Sequence, residues 1–424
     1  MRIYFSGIGG VGLGPLAEIA HDAGFYVCGS DLHESPLTEQ LVARGVAVSI
    51  GQDGSAIAAQ HATQPIDWFV YTAALPDDHP ELAFAREHSL RISKRDELLA
   101  EIIRLKQLKL VAVSGTHGKT TTTGMLVWAF RELGLPVSYS VGSTLSFAPS
   151  GQYDEQSEYF VYECDEYDRN MLHFEPYLSI IPSLDYDHPD TYKNEHVYKK
   201  AFLQFIEQSG YTLLWEKNRR FLDVPDIAAD YETYDEHMNL STFSLTGDHV
   251  RKNAFLVMRA LTRLFPDDDP SRFIDALNRF PGTGRRFEKL ADNLYSDYGH
   301  HPAEIAATLQ LARELSDTVV LVYQPHQNIR QHHLRHEYTN CMALANEIYW
   351  LPTYLTREDP ALPVLTPNEL SRELTNASSV HVADANNDLW QVIEAARAAG
   401  KLVLVMGAGT IDGWVRERLR STTP

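Results

Sequence analysis

The 424-residue sequence predicts an α/β protein of three successive domains with parallel sheets. Three observations lead there. Two glycine-rich loops each stand between an apolar strand and a helical pattern, and beyond them a third block again alternates short apolar strands with amphipathic helices. At roughly 150 residues per domain, the length suits about three.

Composition narrows the class. Apolar residues make up 44% of the chain and the formal net charge is −20, so substantial cores are expected and a nucleic-acid groove is not. No uninterrupted apolar run reaches membrane-spanning length, and residues 2–6 enter a strand without a signal core, so no membrane insertion is expected. Cys28, Cys164 and Cys341 lie far apart with no Cys-x-x-Cys pair, which argues against a disulfide framework or a thiolate zinc site and for a cytoplasmic protein.

Residues 3–5 read as a strand, and Gly7-Ile8-Gly9-Gly10-Val11-Gly12 gives Gly-x-Gly-x-x-Gly ahead of a helix over 13–23. A second strand over 25–29 ends at Ser30-Asp31, where an acid meets a ribose in a dinucleotide fold. Alone this says dehydrogenase, but the same loop can hold any diphosphate. Helices over 37–44, 81–87 and 95–103 and strands over 46–50, 68–71 and 91–93 complete a Rossmann-like domain. It is expected to end at the charged segment 104–109, giving a first domain over residues 1–106.

The next strand, 110–113, ends at Ser114-Gly115, and Lys119-Thr120 open a helical pattern that stops at Gly134 with Pro136 beyond. Such a turn aims backbone N–H groups and a helix N-terminus at one spot; Lys119 adds a positive charge and Thr120 an oxygen for Mg²⁺, which suits a nucleotide polyphosphate. Val113 replaces the extra glycine of the longer phosphate-loop pattern, leaving the compact Gly-x-x-Gly-Lys-Thr form. Strand 159–162 runs into Glu163-Cys164-Asp165-Glu166-Tyr167-Asp168, and strand 178–181 into a segment carrying Asp185, Asp187 and His188, so carboxylates and a histidine gather at a strand edge. One of the carboxylates could face Mg²⁺. Because Mg²⁺ prefers oxygen, His188 fits only where two metals or a triphosphate share the site. Residues 215–248 are acidic and irregular, with no role apparent, and a helix over 251–264 closes a domain expected over 107–283.

At Pro281-Gly282-Thr283-Gly284-Arg285-Arg286-Phe287 a glycine hinge precedes paired arginines. Strand 294–297 meets Tyr298-Gly299-His300-His301-Pro302, with Pro302 well placed to start a helix. Strands over 319–323, 347–351, 380–383 and 402–406, a helix over 389–399 and the turn Gly407-Ala408-Gly409 then give a doubly wound third domain, 284–424, with 352–367 a proline-rich loop.

Taken together these motifs resemble one family across nearly the whole chain, the Mur ligases. The likeness rests on Gly7 to Gly12 with Gly29-Ser30-Asp31, Gly115-Thr116-His117-Gly118-Lys119-Thr120-Thr121, Glu163-Cys-Asp-Glu, Asp187-His-Pro-Asp-Thr-Tyr192, Arg285-Arg-Phe, Asp297-Tyr-Gly-His-His-Pro302, Gln324-Pro-His326 and Gly407-Ala-Gly409. It implies a uridine-nucleotide domain, a central ATPase and a C-terminal domain for an incoming amino acid. Such ligases use ATP to phosphorylate the lactyl carboxylate of UDP-N-acetylmuramate, and an amine then attacks the acyl phosphate.

The roles it implies are specific. Gly115 to Thr121 would cradle the phosphates, with Lys119 on β and γ; Thr120 and Glu163 would hold one Mg²⁺, and Glu163 with His188 a second. His249 and Asn253 fall where adenine is read, and Arg286 and Asp297 where the C-terminal domain meets the nucleotide. Gly7, Gly9, Gly10 and Gly12 would hold the UDP diphosphate, with Ser30 and Asp31 nearby. Tyr298, His300 and Arg330 would meet the amino acid, and Tyr298-Gly-His-His points to L-alanine, the alternative being a relative that attaches a preformed tripeptide. The sequence departs from the pattern in two places: Val250 replaces one of two asparagines after His249, and Gln327 stands where one of two arginines is expected. His332 or Arg335 could supply the missing charge.

Overall fold

A computed structural model describes residues 1–422 except Val11, Ala73, Ala74, Pro189, Asp190, Pro225 and Arg357. The chain divides into two compact units: Met1–Asn239 with Leu256–Phe280, and Leu240–Phe255 with Pro281–Pro424.

The first unit holds two sheets. Strands β1 (Arg2–Ser6), β2 (Tyr26–Asp31), β3 (Ala47–Ile50), β4 (Trp68–Tyr71) and β5 (Arg91–Ser93) lie parallel in the order β3-β2-β1-β4-β5, with helices α1 (Gly14–Asp22), α2 (Pro36–Ala43), α3 (Ser55–Thr63), α4 (Pro80–Glu87) and α5 (Arg95–Leu105) between them. Helix α3 was not expected: Ile57 is its one large apolar side chain, so no 3.6-residue period marks it.

The second sheet follows the order β12-β11-β10-β6-β9-β7-β8, built from β6 (Lys109–Val113), β7 (Ser138–Ser140), β8 (Gly151–Gln152), β9 (Tyr159–Glu163), β10 (Leu178–Ile181), β11 (Thr212–Trp215) and β12 (Tyr231–Tyr234). Only the β7–β8 pair is antiparallel. Its helices are α6 (Lys119–Glu132), α7 (Glu195–Gln208), α8 (Glu216–Leu222), the part of α9 (Asp248–Leu264) from Leu256 on, and α10 (Pro270–Asn278), the residues of α9 up to Phe255 belonging to the second unit. The acidic stretch after 215, unread from sequence, supplies α8 and the edge strand β12, whose half-buried Tyr-Glu-Thr-Tyr carries no clear apolar face. Register matters here: Val113, the last residue of β6, pairs with Glu163 on one side and Ile180 on the other, so the loops leaving β6, β9 and β10 emerge level.

One core serves both sheets, joining Leu16, Ile19, Leu98 and Ile102 of the first to Phe160, Ile181, Phe202 and Phe205 of the second. At about 1.5–3 kcal/mol for each fully buried large apolar side chain, this cluster fixes the two glycine loops in one body.

The second unit carries the third sheet, β13-β14-β18-β15-β16-β17, formed by β13 (Glu288–Ala291), β14 (Leu294–Asp297), β15 (Val319–Tyr323), β16 (Glu347–Trp350), β17 (Val380–Val382) and β18 (Leu402–Met406). All pairs are parallel except the β13–β14 hairpin. Helices α11 (Pro302–Leu315), α12 (Asn328–Leu334), α13 (Pro367–Ser371), α14 (Asn387–Ala398) and α15 (Ile411–Thr422) complete it. Asp297 and Tyr323 both pair with Met406, so the loops after β14, β15 and β18 share one edge. Among the described residues no helix is long and apolar enough to cross a membrane.

Candidate active site

In the phosphate loop Gly115 holds φ +139°, and a β-carbon there would lie 2.5 Å from the Ser183 carbonyl oxygen, so only glycine lets the loop pack against the exit of β10. Thr116 N–H donates to that carbonyl at 3.0 Å, and its hydroxyl donates to Asp185 O at 2.8 Å. His117 N–H donates to Ser183 Oγ at 2.7 Å. Gly118 precedes α6, and Lys119, Thr120 and Thr121 form its first turn.

The Lys119 ammonium donates to Gly115 O and to Glu166 Oε2, both at 2.6 Å. Glu166 is fully buried. Burial, the largest single influence, would pull Lys119 down and push Glu166 up; the opposite charges around each, Glu166 with Asp165 and Glu163 for the lysine and Lys119 with His188 for the carboxylate, together outweigh it, so Lys119 titrates above and Glu166 below the usual value. Sequence reading gave Glu166 no role, because nothing in the acidic run marks which carboxylate turns under the loop. Asp165 beside it is pushed up to about 6, chiefly by burial and then by Glu166.

Thr120 and Glu163 lie together: Thr120 Oγ1 donates to Glu163 Oε1 at 2.7 Å, and Gly142 N–H donates to Oε2 at 2.9 Å. Two hard oxygens at a phosphate loop fit Mg²⁺. The described residues contain no group of three His, Cys, Asp or Glu side chains placed to hold a metal ion. His188, expected with Glu163 at a second metal, has its Nε2 3.2 Å from Glu166 Oε1. Its positive φ of 57°, with its own N–H held by Asp187 Oδ1 at 2.7 Å, turns the ring that way and against Tyr167. Pro189 and Asp190 of this segment lie outside the described residues.

In the N-terminal loop, Gly7 and Ile8 donate their N–H groups to Ser30 O at 2.9 Å, and Gly9 N–H donates to Asp31 Oδ2 at 2.8 Å. Asp31 thus organises the loop itself. Gly10 N–H returns to Gly7 O at 3.1 Å, Gly14 N–H binds Gly10 O at 2.8 Å, and Gly12 lies between; Val11 lies outside the described residues. Ser30, expected beside a bound diphosphate, is fully buried with its hydroxyl on Glu81 Oε2 at 2.8 Å, which leaves it a supporting part.

The remaining expected residues lie in the second unit. His249 and Asn253 sit one helical turn apart on α9, and His249 Nδ1 is buried without a hydrogen-bond partner. Burial lowers its pKa to about 4. Asp297, expected at the nucleotide, is buried, and its oxygens accept from Gly299 N–H at 2.7 Å and Phe287 N–H at 2.8 Å. It is pushed up to about 6, chiefly by burial. It shapes the turn that sets Arg286 over the Tyr298 ring, 5.2 Å from its centroid.

Tyr298, His300 and Arg330 do meet. The buried Arg330 guanidinium donates to His300 Nε2, whose Nδ1 lies 3.2 Å from Tyr298 O. The substitutes considered for the missing arginine are engaged elsewhere: His332 Nε2 donates to Pro363 O at 2.9 Å, and exposed Arg335 contacts His336.

Comparison with known proteins agrees with this architecture. Residues 2–107 match the Mur ligase family catalytic domain, 113–257 the Mur ligase middle domain and 285–409 the Mur ligase glutamate ligase domain. The chain is similar to the UDP-N-acetylmuramate--L-alanine ligases of Leptothrix cholodnii, 31% identical over 97% of this chain and 96% of that one, and of Acidovorax sp., 31% identical over 97% and 94%. In fold it is similar to the UDP-N-acetylmuramate-alanine ligase of Thermotoga maritima, with TM-score 0.75 at 24% identity over the full length of both chains. A murein peptide ligase of Psychrobacter arcticus follows, with TM-score 0.65 at 23% identity over 99% and 98%. A three-sheet fold with a phosphate loop at its central switch point, and likeness along nearly its whole length, make the chain a member of the Mur ligase family.

Proposed function

We propose that this protein is an ATP-dependent amide-bond-forming ligase that joins L-alanine to the lactyl carboxylate of UDP-N-acetylmuramate, a cytoplasmic step of peptidoglycan precursor synthesis. The observation that carries the reading is the Lys119–Glu166 pair beside Thr120–Glu163 at one sheet edge. Such a constellation serves phosphoryl transfer, where positioning and charge stabilisation do most of the work. The named relatives supply the substrates.

In this reading a lactyl oxygen attacks the γ-phosphorus of ATP, and ADP leaves. The alanine amine then attacks the acyl-phosphate carbon, and the tetrahedral intermediate expels phosphate with the original lactyl oxygen. Lys119 holds charge developing on the transferred group. Thr120 and Glu163 would hold Mg²⁺, which supplies charge neutralisation for the phosphates. A second ion would draw on Glu163 and, if its pairing with Glu166 is exchanged, His188. Gly7, Gly9, Gly10 and Gly12 take the diphosphate. His249 and Asn253 read adenine, Arg286 approaches the phosphates, and Tyr298, His300 and Arg330 take the amino acid. Residues 1–106, 107–283 and 284–424 form the corresponding functional domains.

The test is a phosphate-release assay with ATP, Mg²⁺ and UDP-N-acetylmuramate against single amino acids and the tripeptide. Release with L-alanine that requires both nucleotides supports the reading. Release with the tripeptide alone would assign the chain to the tripeptide branch, and nicotinamide reduction without release would overturn it.

A further inference from the structure

The first turn of α5 stands between the two glycine loops of the first unit. Lys94 Nζ lies 2.6 Å from Asp168 Oδ2, in the loop that follows Glu166. Asp96 accepts a hydrogen bond from Tyr162, the residue before Glu163. Arg95, between them, reaches the other way: its Nη1 is 3.6 Å from where a β-carbon on Gly12 would stand.

Arg95 is not used up by its protein contacts. Its Nη2 makes long contacts of 3.3 and 3.5 Å to Asp96, and about a third of the side chain is exposed. A guanidinium stays protonated throughout the neutral range, so no change of pH there removes its charge. The adjoining loop carries further carboxylates, Asp165 and the exposed Asp168. A cation so placed offsets repulsion that an anion arriving over the glycine loop would meet.

We propose that Arg95 is a positioning residue for the nucleotide sugar, its guanidinium binding an anionic group of that substrate as it lies over Gly12 towards the phosphate loop. The inference rests on the functional reading above. Two groups share this chemistry, the diphosphate and the lactyl carboxylate, and both match the planar fork of an arginine.

The test is equilibrium binding of UDP-N-acetylmuramate, UDP and ATP by calorimetry to the wild-type chain, Arg95→Met and Arg95→Lys, with thermal unfolding alongside. Arg95→Met should weaken UDP-N-acetylmuramate by at least tenfold and leave ATP within twofold; Arg95→Lys should fall between, because charge is kept and the fork is lost. If UDP weakens in parallel, Arg95 reads the diphosphate; if UDP is unchanged, it reads the lactyl carboxylate. Unchanged affinity for UDP-N-acetylmuramate in both variants, or equal loss for both substrates and for folding, overturns the proposal. A wild-type chain that binds UDP-N-acetylmuramate but releases no phosphate counts against the functional reading alone, and the variant contrast still decides the role of Arg95.

Discussion

Glu166 accepts from Lys119 on one carboxylate oxygen, at 2.6 Å, while its other oxygen lies 3.2 Å from the His188 imidazole. The lysine expected to act on ATP is therefore also half of a buried ion pair.

Replacing it affects two quantities that the sequence treats as one. Lys119→Met should lower turnover by roughly 10²-fold or more, the loss typical of a preorganised electrostatic group. It should also destabilise the first unit by about 3 kcal/mol, because a buried carboxylate loses its partner. Adding Glu166→Gln should restore most of the stability and none of the turnover. Denaturant unfolding and steady-state rates on the two variants check this; wild-type turnover in Lys119→Met would remove the loop from the mechanism.

The glycine loop gives a steric prediction. A β-carbon on Gly9 would lie 2.6 Å from Thr38 Cγ2 and 3.0 Å from both Asp31 Oδ2 and Ser35 Oγ. Gly9→Ala must push the loop off Asp31, so the KM for UDP-N-acetylmuramate should rise by about tenfold with that for ATP little changed. Equal changes in both would mean that the loop serves the fold rather than one substrate.

His249 gives a pH dependence with a fixed sign. Burial holds its folded pKa at about 4, against about 6.5 unfolded. Between those values the unfolded chain binds the extra proton, so this group's contribution to stability is whole above about pH 6.5 and is lost as pH falls towards 4. His249→Asn should flatten that part of the stability–pH profile. An imidazole seen by NMR to titrate near 6.5 in the folded protein would contradict the burial.

Gln327 bears on the amino acid. With one arginine fewer than the family pattern and Arg330 turned to His300, a carboxylate ligand loses a charge-assisted bond of roughly 1.5–3 kcal/mol. The KM for L-alanine should be high by about ten- to a hundredfold, and Gln327→Arg should lower it. Gln327 already holds φ +60° with its N–H on Tyr354 O, so arginine adds no new backbone strain relative to glutamine. Unchanged KM in Gln327→Arg would place the carboxylate elsewhere or point to another amine.

What could be read from the sequence was what is local in the chain. Strand, glycines, Lys119 and Thr120 follow within a dozen residues, and Glu163 is a strand end, so their meeting at one edge follows from parallel register. The choice of Glu166 over Glu163 as partner of His188 could not be read, because it depends on two loops from different strands turning towards each other. The hydrogen bonds of Asp297 and Ser30 were hidden for a related reason: in sequence a polar residue at a strand end looks the same whether it faces a ligand or satisfies buried N–H or carboxylate groups. Short elements such as α3 and β12 carry too few apolar residues to show a period.

The acyl-phosphate route is tested most directly by the fate of oxygen. With ¹⁸O in the lactyl carboxylate of UDP-N-acetylmuramate, and ATP, Mg²⁺ and L-alanine present, mass spectrometry should find one labelled oxygen in each phosphate released and the other retained in the new amide. Phosphate released without label, while the amide forms, would contradict the account.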